Sequence, residues 1–388
     1  MTTAIEIHGI CDEKFTRVRD ALAENFATHG EVGAALAVMV DGEMVVDLWA
    51  GHADAAQSRA WERDTLVNVY STTKGMTALC AHRLVERGLL DLDAPVARYW
   101  PEFAQGGKGE LPVRYLLSHR AGLPALSEPL PPGSLYNWEV MTSALAKQEP
   151  WWEPGTKHGY HALTYGWLVG EVVRRISRKS LGTFFRDEVA EPLGLDFHIG
   201  LASNHDGRTA EVIPPVEADL EDGFLSAILS DPESMSYKSF SLTEEPIDLE
   251  QANTPEWRAA EIPAANGHGS ARAVARVYGV LARGGELEDV RVLGASAIES
   301  AIVEQSDGLD AVLLLPSRFG MGFMLTQPEL QLGPNEHAFG HSGLGGSLGF
   351  ADPDAKLGFG YTMNKMIVSA DLVDPRWPAM FDAVYGSL

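Results

Sequence analysis

Cysteine is scarce in this sequence, whose 388 residues include only Cys11 and Cys80. We expect no disulfide between them, because nothing in the chain indicates an oxidising compartment, and Cys80 falls in an apolar helical pattern typical of a core position. Long apolar runs are also missing, since the longest, such as residues 312–316, are far too short to span a bilayer. The N-terminal stretch lacks a basic start followed by an apolar run. These absences predict a cytoplasmic protein without a membrane partner.

Basic side chains are few: 30 lysines and arginines stand against 54 aspartates and glutamates, which gives a net charge of -24. Such a charge disfavours nucleic acid and anionic membranes as partners, and it leaves the substrate and the oligomeric state open. The chain has no phosphate-binding P-loop and no dinucleotide fingerprint, so no cofactor is expected. His158 and His161 are spaced like metal ligands, but no nearby Glu or Cys completes a persuasive set, so we expect no metal.

The hydrophobic residues, 45% of the chain, fall into patterns that predict both helices and strands. Asp41-Gly42 between two β-like runs is typical of a two-residue hairpin. Residues 213–263, rich in Pro and Asp, are predicted to be loop-like. Helices are predicted at 12–28, 71–90, 164–176, 271–283 and 377–385, and strands at 34–40, 44–48, 319–325, 347–352 and 357–364.

This order of elements predicts an α+β fold. The chain is expected to begin with a helix followed by antiparallel strands, and further strands return near its end. We therefore predict one domain with an antiparallel sheet flanked by helices, made from residues 1–90 and 285–388, and an inserted, mainly helical domain of residues 91–284. The cleft between two such domains is a natural place for an active site.

Ser71 is a candidate nucleophile because Lys74 follows it by three residues at the start of a predicted helix. Residues three apart share one face of a helix, so the lysine amine can reach the serine hydroxyl. A serine needs a base to take its proton, and a lysine with a lowered pKa can serve. Taken alone, this spacing fits a helix-capping serine beside a solvated lysine equally well.

Two further segments supply possible partners. Tyr160 precedes the helix predicted at 164–176 and could act as a base or proton shuttle, although a packed aromatic residue with a hydrogen-bonded hydroxyl is the alternative. The glycine-rich segment of His341, Ser342 and Gly343 leads into a strand. An edge strand there could offer backbone N–H groups to an oxyanion, and an ordinary turn between strands is the alternative.

Together, Ser71-x-x-Lys74, Tyr160 and His341-x-Gly343 resemble the three motifs of the serine β-lactamase and penicillin-binding-protein superfamily. Residues 115–123 and 266–271 are similar to stretches of its class C-like branch. The resemblance is closest to the family VIII carboxylesterases and runs from about residue 15 to residue 365. It implies a β-lactamase-like fold and a serine hydrolase.

The resemblance implies a role for each motif residue. Ser71 would be acylated, with Lys74 and Tyr160 together moving its proton, and which of the two is the base stays open. The backbone N–H groups of Ser71 and Leu344 would form the oxyanion hole. His341, with Ser342 and Gly343, would contact the substrate; His341 would shape the pocket or hydrogen-bond Tyr160.

Departures from the superfamily pattern bear on the substrate. Tyr160-His161-Ala162 replaces the Tyr-x-Asn motif, and His341 replaces a lysine that would bind a carboxylate in β-lactamases. In many family VIII members a Trp stands where this chain has Leu344. The loss of the lysine favours neutral esters over anionic antibiotics.

We therefore predict a serine carboxylesterase that hydrolyses small, short-chain acyl esters. An amidase, a weak β-lactamase or an acyltransferase on the same site is the alternative, and a non-catalytic acyl-binding sensor is an alternative of another class. Residues 345–349 match the Gly-x-Ser-x-Gly nucleophile elbow, which needs a helix after the serine. Because a strand is predicted there, we do not expect Ser347 to be the nucleophile.

Overall fold

A nine-stranded antiparallel sheet dominates the computed structural model, which describes residues 5–215, 226, 228, 230–245 and 247–388. Its strand order is β1-β3-β2-β14-β13-β12-β11-β10-β9, so the early strands β1–β3 join the late strands through the pairing of β2 with β14. A small sheet has the order β4-β6-β5, and β7 pairs with β8. The strands of the described residues are β1 (His8–Cys11), β2 (Gly33–Val40), β3 (Glu43–Gly51), β4 (Val67–Asn68), β5 (Phe197–Ile199), β6 (Gly267–Gly269), β7 (Glu286–Leu287), β8 (Val290–Arg291), β9 (Ser306–Leu309), β10 (Pro316–Phe319), β11 (Met324–Leu325), β12 (Phe339–Ser342), β13 (Leu348–Asp352) and β14 (Leu357–Met363).

Helices cover the sheet and fill the middle of the chain. Short 3-10 helices lie at Glu13–Phe15, Val96–Arg98, Pro101–Ala104, Ser134–Tyr136, Ser203–Arg208 and Leu249–Asn253, and a π-helical turn at Arg186–Ala190. The α-helices of the described residues are α1 (Thr16–His29), α2 (Thr73–Glu86), α3 (Arg114–Leu117), α4 (Trp138–Lys147), α5 (Thr164–Ser177), α6 (Leu181–Phe185), α7 (Glu191–Leu193), α8 (Met235–Phe240), α9 (Pro255–Ala259), α10 (Ala271–Ala282), α11 (Ala295–Ala301) and α12 (Trp377–Tyr385).

Helix α2 occupies the centre of the molecule. It packs against α5 on one side and against strand β12 on another. Its residues from Thr73 to His82 are all buried, among them Cys80, which is a free thiol in the core as predicted. The apolar pattern of α2 therefore fixes this helix between the sheet and the helical region, and the segment just before it reaches the site described below.

Several sequence predictions hold closely. The Asp41-Gly42 hairpin joins β2 to β3, with positive φ angles of 47° and 94° at its two residues. The helices predicted at 164–176 and 271–283 match α5 and α10 to within a residue at each end, and the helix predicted at 377–385 is α12. The predicted strands at 347–352 and 357–364 are β13 and β14.

Other predictions were wrong. Strand β1 precedes the first helix; its mostly exposed side chains show no alternation, because it is an edge strand held by backbone pairing with β3. The strand predicted at 319–325 is two strands, β10 and β11, because the chain turns back between Phe319 and Met324, at Gly322 with its positive φ.

Three further boundaries or positions differ. The helix predicted at 71–90 spans only Thr73–Glu86. The loop predicted at 213–263 contains α8, α9 and a 3-10 helix, and part of it (216–225, 227, 229 and 246) lies outside the described residues. Strand β12, expected at an edge, lies inside the sheet between β11 and β13.

The sheet places both ends of the chain in one layer, and its strands come from the two segments assigned to the first predicted domain. The domain boundaries at residues 90 and 284 stay predictions. Among the helices that the structure describes, none is long and apolar enough to cross a membrane.

Candidate active site

Ser71 lies in a tight turn immediately before α2. Tyr70 has a φ of 42°, in the left-handed region that is costly for a residue with a side chain. The Tyr70 carbonyl accepts hydrogen bonds from the Thr73 backbone N–H at 3.0 Å and from the Thr73 hydroxyl at 2.5 Å. The Thr73 hydroxyl in turn accepts the Gly267 N–H at 2.9 Å. These bonds stabilise the strained turn that presents Ser71.

Lys74 is fully buried, and its amine lies 3.0 Å from Ser71 Oγ. It also donates to the carbonyls of Ala162 at 2.8 Å and Ala264 at 2.9 Å. Burial lowers the pKa of Lys74 well below its usual value. A neutral amine has two N–H groups and one lone pair. The two carbonyls use the N–H groups, so the lone pair is left for the Ser71 hydroxyl.

Tyr160 lines the same cleft as Ser71. Its side chain is buried and interacts with that of Ser71, and Lys74 Nζ lies 4.7 Å from the centre of its ring. Burial raises the pKa of Tyr160, so the phenol keeps its proton at neutral pH. The Tyr160 backbone N–H donates to Asp310 Oδ1 at 2.9 Å, and the same oxygen accepts the Val312 N–H at 2.8 Å.

The third predicted motif begins in strand β12, which ends at Ser342. His341 Nδ1 lies 2.7 Å from the Ser342 carbonyl oxygen, which can only accept, so Nδ1 carries the proton. His341 Nε2 has no hydrogen-bond partner among the described residues, and no bond joins it to Tyr160 there. Burial lowers the pKa of His341 to about 3, so the ring is neutral. Together with Ser342, Gly343 and Leu344, it lines the cleft beside Ser71.

Ser347 joins the third motif to the Ser71 turn. It is buried, its hydroxyl donates to the Val69 carbonyl at 2.7 Å, and it lies 3.0 Å from Thr72 Oγ1. The Ser347 carbonyl accepts the Gly343 N–H at 2.7 Å. Strand β13 follows Ser347, as predicted. The Ser347 hydroxyl is therefore a tie between two segments and not a free nucleophile.

Two buried histidines, which sequence reasoning did not place in the site, support Tyr160. The His161 backbone N–H donates to His119 Nδ1 at 3.1 Å, and the His119 ring centre lies 4.9 Å from that of Tyr160. His161 donates through Nδ1 to the Gly159 carbonyl at 2.7 Å and accepts the Leu123 N–H at Nε2. Burial lowers the pKa of both histidines, that of His161 to about 3.

His158, the other histidine of the pair considered as metal ligands, points away to a different partner. Its Nε2 lies 3.0 Å from Ser317 Oγ, which donates to Asp310 Oδ2 at 2.9 Å. Within the described residues, no group of three or more His, Cys, Asp or Glu side chains is placed to hold a metal ion. Asp310 could not be found from the sequence, because a single acidic residue in an apolar segment carries no motif.

Two mainly apolar pockets flank Ser71 and share Ser71, Phe240 and Leu344 as lining residues. The first, which we call the Tyr160 pocket, has an empty volume of about 680 Å³. The second, the Ala162 pocket, has about 920 Å³. The Tyr160 pocket is also lined by Leu313, Phe319, Met324, His341 and Val368, and the Ala162 pocket by Leu135, Ile228, Leu242, Leu249 and Trp257.

The antiparallel sheet flanked by helices and the cluster around Ser71 define a serine hydrolase of the β-lactamase class. The Beta-lactamase family model matches residues 18–381, and the chain belongs to this family. The predicted β-lactamase-like α+β fold and the predicted enzyme class are thereby confirmed.

Particular relatives are esterases. The chain is 38% identical over 373 residues to the esterase/β-lactamase LipL of Mycobacterium tuberculosis, covering 95% of this chain and 85% of LipL. A family VIII carboxylesterase crystal structure matches with a TM-score of 0.91 and 44% identity, over 99% of this chain and 100% of the other. EstA from Arthrobacter nitroguajacolicus Rue61a matches with a TM-score of 0.85 and 32% identity, over 97% of each chain. The chain is thus an esterase/β-lactamase-like hydrolase, similar to the family VIII carboxylesterases.

Proposed function

We propose that the protein is a carboxylesterase that hydrolyses small, uncharged esters with short acyl chains through an acyl-enzyme on Ser71. The observation that carries this proposal is the buried amine of Lys74, 3.0 Å from Ser71 Oγ. The carbonyls of Ala162 and Ala264 hold that amine in place. Its lone pair faces the hydroxyl of Ser71, which lines both pockets. The similarity to a family VIII carboxylesterase supports the same reaction.

In the proposed acylation step, Ser71 Oγ attacks the ester carbonyl and Lys74 Nζ accepts the hydroxyl proton. The electron pair of the carbonyl moves to its oxygen, which the backbone N–H groups of Ser71 and Leu344 stabilise. The C–O bond to the alcohol then breaks. The alkoxide takes a proton from the Tyr160 hydroxyl, and Lys74 returns a proton to Tyr160.

In the proposed deacylation step, a water molecule attacks the acyl carbonyl in place of Ser71. Lys74 and Tyr160 take the proton of this water, and the oxyanion forms at the same backbone N–H groups. The bond to Ser71 Oγ breaks, Ser71 is protonated again, and the carboxylic acid leaves.

We assign Lys74 as the base and Tyr160 as the relay because burial acts on them in opposite directions. The lowered pKa of Lys74 supplies a free amine at neutral pH, whereas the raised pKa of Tyr160 keeps a phenol that can donate. A pair of groups whose pKa values are pushed apart divides acid and base work in this way.

The pockets favour an uncharged substrate. Among the described residues that line them, none is a lysine or arginine, and Glu245, Asp248 and Asp374 are acidic. His341 is neutral and carries no charge for a carboxylate. Since Tyr160 protonates the leaving oxygen, we place the alcohol group in the Tyr160 pocket and the acyl chain in the Ala162 pocket. Both pockets are mainly apolar, which suits an uncharged substrate.

The test is turnover of p-nitrophenyl butyrate by the purified protein and by Ser71→Ala. We expect sustained turnover by the wild type and loss of about 10⁴-fold or more in Ser71→Ala, because the proposed reaction forms its acyl-enzyme on Ser71. A fluorophosphonate should label Ser71 and leave Ser347 unmodified, as read by peptide mass spectrometry. Wild-type turnover in Ser71→Ala would overturn the proposal, and a single burst without turnover would indicate an acyl-binding sensor.

The substrate class is tested with esters graded in acyl length, together with an amide and a cephalosporin. Because the carboxylate of a cephalosporin would be desolvated without a cation, we expect kcat/KM for it to be at least about a hundredfold lower than for the butyrate ester. Equal values for the two would contradict the neutral-ester proposal while leaving Ser71 as the nucleophile.

A further inference from the structure

Arg376 and Trp377, at the start of α12, donate hydrogen bonds to the turn that follows Leu344. Arg376 Nη2 donates to the Gly345 carbonyl at 2.6 Å, and Trp377 Nε1 donates to the Gly346 carbonyl at 2.9 Å. Both side chains are buried. The two carbonyls directly after Leu344 therefore each have a fixed donor from a distant part of the chain.

Arg376 is itself held by two carboxylates. Its Nε and Nη2 donate to the two oxygens of Asp374 at 2.8 and 2.5 Å, and its Nη1 donates to Glu31 Oε2 at 3.1 Å. Nη1 also donates to the Lys365 carbonyl at 3.0 Å. The guanidinium has no exposed surface, and its planar fork fixes the direction of every donor. Arg376 thus joins four segments at one point.

Gly346 packs directly on this charged cluster. A Cβ atom on Gly346 would lie 2.0 Å from Arg376 Nη2 and 2.1 Å from Asp374 Oδ2, which no side chain tolerates. The φ angle of Gly346 is 119°, also accessible mainly to glycine. Because backbone and guanidinium touch without a gap, a shift of Arg376 must move the turn.

Arg376 itself is not among the residues that line the Tyr160 pocket. Asp374, Gly345, Gly346 and Trp377 line the Tyr160 pocket, whereas Arg376 lies behind them. The opposite side of the turn is fixed by the Gly346 N–H, which donates to the Gly343 carbonyl at 3.0 Å. Leu344 is therefore enclosed by a turn that has hydrogen bonds on both sides.

We propose that Arg376 is a positioning residue for the esterase reaction: held by Glu31 and Asp374, it fixes Gly345 and Gly346 and so directs the Leu344 N–H into the oxyanion hole. This inference rests on the proposed function, since it requires an oxyanion at Leu344. A misdirected donor loses most of its stabilisation of the transition state and little of the binding of the ground state.

The experiment compares Arg376→Lys with the wild type. A lysine keeps the positive charge but cannot bind Asp374, Glu31 and the Gly345 carbonyl in one plane. We expect kcat for p-nitrophenyl butyrate to fall by about ten- to a hundredfold, with KM within about threefold of the wild-type value. A butyl trifluoromethyl ketone, which forms a tetrahedral oxyanion on Ser71, should lose affinity by the same factor as kcat/KM.

Arg272→Lys is the matched control. Arg272 makes a comparable two-point pair with the buried Asp47, at 2.7 and 2.9 Å, and lines neither pocket. It should lower the melting temperature while kcat/KM and the ketone affinity stay at wild-type values. The proposal is overturned if Arg376→Lys behaves like this control.

Trp377→Phe provides a second test of the positioning proposal if Arg376→Lys does not fold. It removes the donor to the Gly346 carbonyl and leaves a smaller aromatic ring in the pocket. A lower kcat with unchanged KM and weaker ketone binding supports the positioning role, and wild-type kcat and ketone binding overturn it. Failure of the proposed function itself would look different, because Ser71→Ala would then retain turnover.

Discussion

Lys74 and Tyr160 both lie beside Ser71, and burial shifts their pKa values in opposite directions. Burial disfavours the charged form of each, so the lysine loses its proton and the tyrosine keeps its own. The carbonyls of Ala162 and Ala264 then orient the neutral amine. All three groups are therefore neutral in the resting state from which the proposed reaction begins.

The pH dependence of kcat/KM checks this protonation state. Because the pKa of Lys74 is well below 10.5, kcat/KM should rise with pH and reach its plateau well below pH 10.5. Lys74→Arg, which cannot give up its proton, should lose about 10²–10⁴-fold of kcat/KM across this range. A rate that still rises tenfold per pH unit at pH 10, after subtraction of spontaneous hydrolysis, would contradict a neutral Lys74.

At the scale of single residues, the sequence predicted part of the site where the spacing of two residues on a helix brings them together. Ser71 and Lys74 are three residues apart, so their proximity follows from helical geometry alone. The backbone carbonyls that hold Lys74 could not be predicted, because every residue has one and only the tertiary fold selects Ala162 and Ala264. Arg376 could not be predicted either, because only the tertiary fold brings its side chain to the Gly345 carbonyl.

At the scale of elements, the turns limited prediction more than the helices or strands. Amphipathic patterns located α5, α10 and α12 well, because each buries one face of a regular element. The hairpin between β10 and β11 was missed, since its residues are apolar throughout and read as one strand. Gly322, with a φ of 93°, is where the chain turns back.

Gly322→Ala tests how much this turn contributes. A Cβ atom there would lie 2.4 Å from Ala78 Cβ on α2 and 2.7 Å from the Tyr165 hydroxyl, in addition to the positive φ. We expect the free energy of unfolding in urea to fall by at least about 2–3 kcal/mol, since both strain and overpacking act.

Gly88→Ala separates these two causes. Gly88 also has a positive φ, 68°, but a Cβ atom there meets nothing within 4 Å. The free energy of unfolding should therefore fall by only about 1 kcal/mol, from backbone strain alone. Equal losses in the two variants would show that packing of the hairpin against α2 contributes nothing.

At the scale of the whole molecule, burial of neutral histidines sets the response to acid. Burial lowers the pKa of His161, His268 and His341 to about 3, and that of His119 well below its usual value. Their folded pKa values lie below the unfolded value of 6.5, so unfolding takes up protons. The stability that they contribute is complete above pH 6.5 and is lost as the pH falls towards 3. Glu31, whose pKa burial raises to about 7, acts in the opposite direction, as does Glu261, whose pKa burial also raises.

We therefore expect the free energy of unfolding to fall steeply between pH 6.5 and pH 4, by about 1.4 kcal/mol per pH unit for each such histidine. Urea unfolding at several pH values measures this slope. His268→Asn, which removes a buried histidine that lines neither pocket, should reduce the slope by that amount. An unchanged slope in this variant would contradict the linkage.

Because strand β2 pairs with strand β14, the main sheet can be completed only near the end of chain synthesis. Leu36 is the register partner of Tyr361, so the main sheet joins residues that leave the ribosome far apart in time. Ser71 and Lys74 are synthesised early, whereas Leu344 and Arg376 come near the end. A nascent chain therefore carries the proposed nucleophile and base for most of its synthesis without the segment proposed to stabilise the oxyanion. If the proposed oxyanion hole is correct, activity requires the last strands to have joined the sheet.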